Sequence, residues 1–230
     1  MRPARFFGAF SLLALLTLIS GCLTSGTKDS GGGMEDATFL TGTWTTGFDS
    51  TKGDLDTVVF YMGGSGRYTS YLYDKDNGTW VLVAKDTAAL ANCGVTHGML
   101  HFVYKANPGS LFPDIEYWEK YVLQGNLMTW YKGVLLHGGT PGVLVGNWQL
   151  DPSSLDTNIQ PYFYNFKNND VLYISRSGVV LDSFAITVAG SGIQQRNLKS
   201  GKTDSLQYEF DGAYMRLFNP SSKTSYTKVN

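Results

Sequence analysis

Cys93, His97 and His101 recur every four residues, a spacing that would set them on one face of a helix, within reach of a transition metal. Gly94 and Gly98 interrupt such a helix, and Met99 to Lys105 alternates as a strand, which splits the set. Zinc also needs a fourth donor, and the sequence places none beside these three. The expectation is ordinary histidines, no metal and no cofactor, with Cys93 an inert packed thiol. A little further on, Asp114, Glu116 and Glu119 flank Tyr117 and Trp118. Carboxylates beside aromatic rings suit the grip of a sugar, and two carboxyl groups facing each other across a cleft would hydrolyse one. A solvated strand edge accounts for the same residues, because closeness in sequence does not make carboxyls converge. His97, His101, Asp114, Glu116 and Trp118 are therefore read as a candidate contact surface. The chain has no nucleophile elbow, no His-Glu-x-x-His, no phosphate-cradling glycine loop before a helix and no paired Cys-x-x-Cys, so no catalytic residue is assigned.

At the amino end, Arg2 and Arg5 precede an apolar run from Phe6 to Ser20. Its length of about 15 residues suffices for export and is short for a spanning helix. The run closes on Leu18-Ile19-Ser20-Gly21-Cys22, which resembles the lipobox of bacterial lipoproteins. That resemblance implies a signal peptide over 1–21, a cut before Cys22 and a diacylglycerol thioether on its sulfur. The alternatives are an ordinary signal peptide with a chance cysteine, or a buried apolar helix. At about 0.8 kcal/mol per buried methylene, two or more acyl chains would hold the protein stably on a bilayer. Leu23 is not the aspartate that retains many such proteins at the inner membrane, so the resemblance favours the outer membrane of the cell envelope. Acylation of Cys22 leaves Cys93 as the one free thiol of the chain's two cysteines.

Residues 22–37 are rich in Ser, Gly, Thr, Lys and Asp and read as a flexible tether, with a random-coil reach on the order of 20 Å. Beyond it the chain repeats. Gly42-Thr43-Trp44 returns as Gly146-Asn147-Trp148 at an offset of 104, and Val58-Val59-Phe60, the loop Gly63–Gly66 and Thr79–Lys85 overlay later segments at the same offset. Tyr121–Gly125 matches Tyr208–Gly212 at an offset of 87. The first copy, 38–137, then holds about 17 more residues than the second, 140–230, within roughly 86–118. That extra segment contains the candidate contact surface, and its Ala-rich part, Thr87 to Asn92, has the composition of a helical turn.

Charged residues are only 16% of the chain while aromatics reach 14%, with 27 glycines, the balance of short aromatic strands joined by tight turns. Period-two alternation sets Tyr162, Tyr164 and Phe166 on one face, and likewise Phe184, Ile186 and Val188, and Leu206, Tyr208 and Phe210. Asp211-Gly212 and Gly125-Asn126 read as hairpin turns, the former of type I′. Seven or eight strands per copy form a meander that closes into a barrel without exposed edges. A single continuous sheet or a sandwich spanning both copies is the rival arrangement. Gly-x-Trp on the first strand, with Lys228 near the last, is similar to small bacterial lipocalin-like domains, in which the tryptophan plugs the closed end. The resemblance implies two tandem all-β, lipocalin-like barrels, plugged by Trp44 and Trp148, and no particular ligand. The first copy departs from that pattern, since Gly133-Val134-Leu135-Leu136 offers no basic residue.

Seven large rings, those of Trp148, Tyr162, Tyr164, Phe166, Phe184, Tyr208 and Phe210, point into the second copy and leave little room there. Loss of Arg2 and Arg5 moves the net charge from −1 to −3, so a nucleic-acid partner is not expected. The leading expectation is a non-catalytic binding or interaction module. Its partners are the bilayer through Cys22 and a small apolar ligand, a glycan or an envelope protein. A structural surface protein without a ligand and a divergent hydrolase are the alternatives.

Overall fold

The computed structural model describes residues 37–106, 114–150, 162–168 and 170–229. The signal peptide, Cys22 and nearly all of the tether lie outside the described residues. A short 3-10 turn, Ala37–Leu40, leads into the strands β1 (Gly42–Thr45), β2 (Asp54–Tyr61), β3 (Ser65–Asp76), β4 (Thr79–Thr96), β5 (Met99–Lys105), β6 (Ile115–Gln124) and β7 (Leu127–His137). A second set follows: β8 (Gly146–Leu150), β9 (Tyr162–Lys167), β10 (Val171–Arg176), β11 (Val179–Ala189), β12 (Gly192–Asn197), β13 (Thr203–Asp211) and β14 (Tyr214–Val229). The described chain is all β, and each strand pairs antiparallel with the next as one meander.

Closure depends on two long strands. The first half of β7, Leu127–Tyr131, pairs with Lys223–Thr227 of β14, and its second half, Gly133–His137, pairs with Tyr214–Phe218. The end of β14 also pairs with β1, Thr43 lying opposite Val229. The pairings therefore trace two rings of eight strands: β1–β7 with the end of β14, and β8–β14 with the end of β7. One continuous sheet contains both. Neither repeat completes its ring alone, because each borrows the far half of the other's last strand.

The strand register corrects the sequence overlay. The offset of 104 holds for Trp44 and Trp148, but Trp44 faces Val58 and Trp148 faces Tyr164, which makes the next offset 106. It falls to 100 at the turns Asn77-Gly78 and Ser177-Gly178, and to 94 where Leu90 and Phe184 occupy the same place. The first copy's extra length thus lies largely in the β3–β4 hairpin, six residues longer in each arm. A further six lie between Tyr104 and Glu116, a span that includes residues outside the description. Thr87 to Asn92 is not helical. It belongs to β4, with Ala88 and Leu90 buried on one face, because alternation there outweighs alanine's helical preference. The offset of 87 at Tyr121 and Tyr208 holds.

Turn chemistry follows backbone sign. Asn77-Gly78 (φ 48° and 85°) and Ser177-Gly178 (φ 51° and 78°) are both positive, as a type I′ turn requires. At the expected Asp211-Gly212 turn, Asp211 instead pairs with Tyr214, so the loop is Gly212-Ala213. Only its glycine is positive, at φ 58°, the pattern of type II′ rather than I′.

Two cores result. Trp44, Val58, Phe60, Leu100, Phe102, Met128 and Trp130 pack together with Tyr226 from β14. All seven rings expected inside the second copy belong to the other cluster, which takes Leu136 from β7. A third cluster, Met99, Trp118 and Leu135 with Tyr214, packs against the junction. There the His97 ring stacks on Tyr214 at 3.8 Å, its Nδ1 lies 3.1 Å from Asp211, and Arg216 donates to the His97 carbonyl at 2.8 Å.

Ending the chain after Pro220 should remove the partner of both β1 and β7 in the first ring and uncover Trp44 and Trp130. The expected outcome is loss of cooperative unfolding and a red shift of tryptophan fluorescence. A native near-ultraviolet circular dichroism spectrum from the shortened chain would refute the shared closure.

Candidate functional site

The two Gly-x-Trp tryptophans occupy matching places. Trp44 and Trp148 are 1% and 0% exposed, and each indole N–H donates to the carbonyl four residues earlier, Leu40 at 2.7 Å and Leu144 at 3.0 Å. Their ring faces are covered differently. The Lys228 ammonium lies 5.3 Å from the centre of the Trp44 ring and donates to the Phe39 carbonyl at 3.1 Å. Lys228 therefore serves the tryptophan of the first repeat, because β14 ends in the first ring. At Trp148 the chain itself takes that place: a Cβ on Gly139 would sit 2.3 Å from the indole, so only glycine fits.

The proposed contact residues divide into three places. His101 and Trp118 are cross-strand partners on β5 and β6 whose rings stack at 4.2 Å, and His101 Nε2 contacts Glu116 Oε1. All three side chains are sealed: His101 and Trp118 are 8% and 9% exposed, and the Glu116 side chain is equally buried. His97 is bound into the junction. Asp114 receives Lys105 at 2.6 Å, which holds its carboxyl below the ordinary range, and caps the Ala106 N–H at 3.0 Å. Cys93 packs against the first core, and burial pushes its thiol up to about 12, which keeps it protonated at neutral pH. Among the described residues no group of three or more His, Cys, Asp or Glu converges on one point.

The polar groups that converge face the interior of the first ring. Tyr117, Glu119 and Tyr121 share the inward side of β6, the two tyrosines packing on the first core. Glu119 is 7% exposed and accepts no hydrogen bond among the described residues. Burial pushes its carboxyl up to about 8, opposed only in part by Lys132 across the strand pair. Opposite, burial raises the Tyr68 phenol far above its ordinary range, and the nearby Asp56 carboxylate raises it further. Among the described residues Asp56 Oδ1 is enclosed without a partner, and so is the indole N–H of Trp130, itself 5% exposed. Tyr226 stacks 4.4 Å from Trp130, and its buried hydroxyl senses Tyr68, Asp56 and Glu119.

The chain matches no known family model, no curated protein and no solved structure.

The second ring provides an internal reference. By strand register its residues at the places of Asp56, Tyr68, Glu119, Trp130 and Tyr226 are Tyr162, Ile174, Leu206, Leu217 and Leu136. Several of its inward polar groups pair with one another: Asp182 with Asn197 at 2.5 Å, Asp204 with Asn219 at 2.9 Å, and Arg176 over the Tyr162 ring at 5.1 Å. Among the described residues the second ring leaves one inward atom enclosed without a partner, the Tyr164 hydroxyl, whereas the first leaves a carboxylate oxygen of Asp56 and the indole N–H of Trp130. Sequence reasoning placed Glu119 among surface acids. The offset of 87 sets it over Leu206, and a charge in the place of a leucine was the available signal.

Glu119 stays protonated in the folded chain up to about pH 8, whereas it ionises near 4.5 once unfolded. Between these values the unfolded state binds fewer protons, so its contribution to stability, complete below about pH 4.5, is lost as pH rises toward 8. The slope is on the order of 1.4 kcal/mol per pH unit at most. Glu119→Leu should flatten this decline and raise the denaturation midpoint at pH 7.5. Chemical denaturation at pH 5 and pH 7.5 checks it, and an unchanged slope would place the carboxyl in water.

Proposed function

We propose that this protein is a bacterial envelope lipoprotein, acylated at Cys22, that acts without catalysis as a binding module. Residues 1–21 are its signal peptide and 22–37 its tether. The two strand rings are lipocalin-like barrels plugged by Trp44 and Trp148, with the outer membrane as the favoured site of anchorage. The ligand occupies the interior of the first barrel. One observation carries this assignment: an inward, buried carboxyl that accepts no hydrogen bond among the described residues, Glu119, stands where the second barrel has Leu206.

A buried ionisable group without a partner lowers stability, whereas the leucine of the sister ring shows that this position accepts an apolar side chain. A ligand that hydrogen-bonds Glu119, Asp56 and Trp130 would recover that loss on binding. The inward set of hydroxyls, carboxyls and rings suits recognition of a small polar molecule with an apolar body, more polar than the apolar ligand suggested by sequence. The sealed His101–Glu116–Trp118 group is not available to a partner without rearrangement, so the contact surface expected there gives way to the interior.

Two measurements test this reading on the full chain in detergent. Radiolabelled palmitate should enter the wild type and not Cys22→Ser, and a free thiol at Cys22 of the mature protein would refute the anchor. A thermal-shift screen of sugars, amines and carboxylic acids should yield compounds that stabilise the wild type but not Glu119→Leu. Compounds that stabilise both equally would refute the interior site.

A further inference from the structure

Resting on that interior site, we infer that its ligand is a protonated primary amine carried on a small aromatic body with an oxygen acceptor. The enclosed atoms set this chemistry. Among the described residues Asp56 Oδ1 is enclosed without a donor and Trp130 Nε1 without an acceptor, and the buried Glu119 side chain beside them receives no hydrogen bond. An ammonium supplies three donors, enough for Asp56 and for a Glu119 carboxyl that releases its proton to solvent as the cation arrives, and a phenolic or alcoholic oxygen supplies the acceptor for the indole.

Charge points the same way. The carboxyls share the interior with Trp130, whose ring has those of Phe60, Phe102 and Tyr226 about it at centre distances of 6.1, 5.7 and 4.4 Å. A cation held among ring faces is attracted by their quadrupoles, more strongly when water is excluded. Lys132, the basic residue across the strand from Glu119, is itself exposed and does not displace that demand. The chain uses the same contact at the closed end of this ring, where the Lys228 ammonium covers Trp44. Among the described residues of the second ring, the inward carboxylates Asp182 and Asp204 are already paired with asparagines.

The test compares two probes that differ only in the amino group, tyramine and 4-ethylphenol. Each is titrated into the full chain in detergent at pH 7.5, observing the indole N–H resonance of Trp130, assigned with Trp130→Phe. Tyramine should shift that resonance and bind about tenfold or more tightly than 4-ethylphenol. Glu119→Gln and Asp56→Asn should each reduce the preference, and a retained circular dichroism spectrum shows that the variants fold. Equal binding of the two probes would overturn the amine assignment and leave an interior site in place. If neither probe shifts Trp130 while screening compounds still require Glu119, the amine is likewise wrong. If no compound requires Glu119, the interior site itself fails.

Discussion

The antiparallel ladder between β7 and β14 is the constraint on which the architecture rests. A meander of seven strands leaves two open edges, each a row of unpaired amide and carbonyl groups. Two such meanders in one chain satisfy their edges reciprocally here. The beginning of each terminal strand faces its own core with Met128 and Trp130, or Met215 and Leu217, and its continuation faces the other core with Leu136 or Tyr226. The arrangement has the reciprocity of a two-fold dimer interface, with both partners supplied by one polypeptide. His97, Asp211, Tyr214 and Arg216 lock the two halves together on the outside of that ladder.

Shared backbone with unequal interiors separates the structural requirements of this fold from other demands on it. Both rings keep a tryptophan sealed at one end and hydrogen-bonded to the same relative carbonyl. Burial by itself demands no more than that. The leucines of the second ring show that an apolar filling is compatible with this frame at the places of Glu119 and Trp130, so the buried Glu119 carboxyl is a departure that lowers stability. Natural binding sites are commonly built at such expense, because groups that are strained or unsatisfied in the free protein gain most when a ligand arrives.

Strand content, meander order and the repeated Gly-x-Trp were legible from alternation, turn residues and composition. The seven inward rings of the second copy were legible for the same reason, since period two fixes the face once one residue is placed. Register was not. An ungapped overlay cannot detect six residues added to each arm of a hairpin, because an extended ribbon alternates in the same way as the strand it prolongs. Sharing of β7 and β14 was also hidden: Val134 and Leu136 continue the inward parity of Met128 and Trp130, and nothing local marks the passage from one core to the next. The site was missed through parity too. Tyr117 and Glu119 point inward while Glu116 and Trp118 point outward, so an apparent surface cluster was two faces of one strand.

The pairing of Thr43 with Val229 also bears on how the protein is made. These residues stand at opposite ends of the folded region, so the earliest strand to be synthesised waits for the latest before its ring can shut. Contacts so distant in sequence slow folding and disfavour completion of the first repeat on the ribosome. A polypeptide that cannot shut its first ring until the end of its last strand emerges keeps that half open through most of its synthesis.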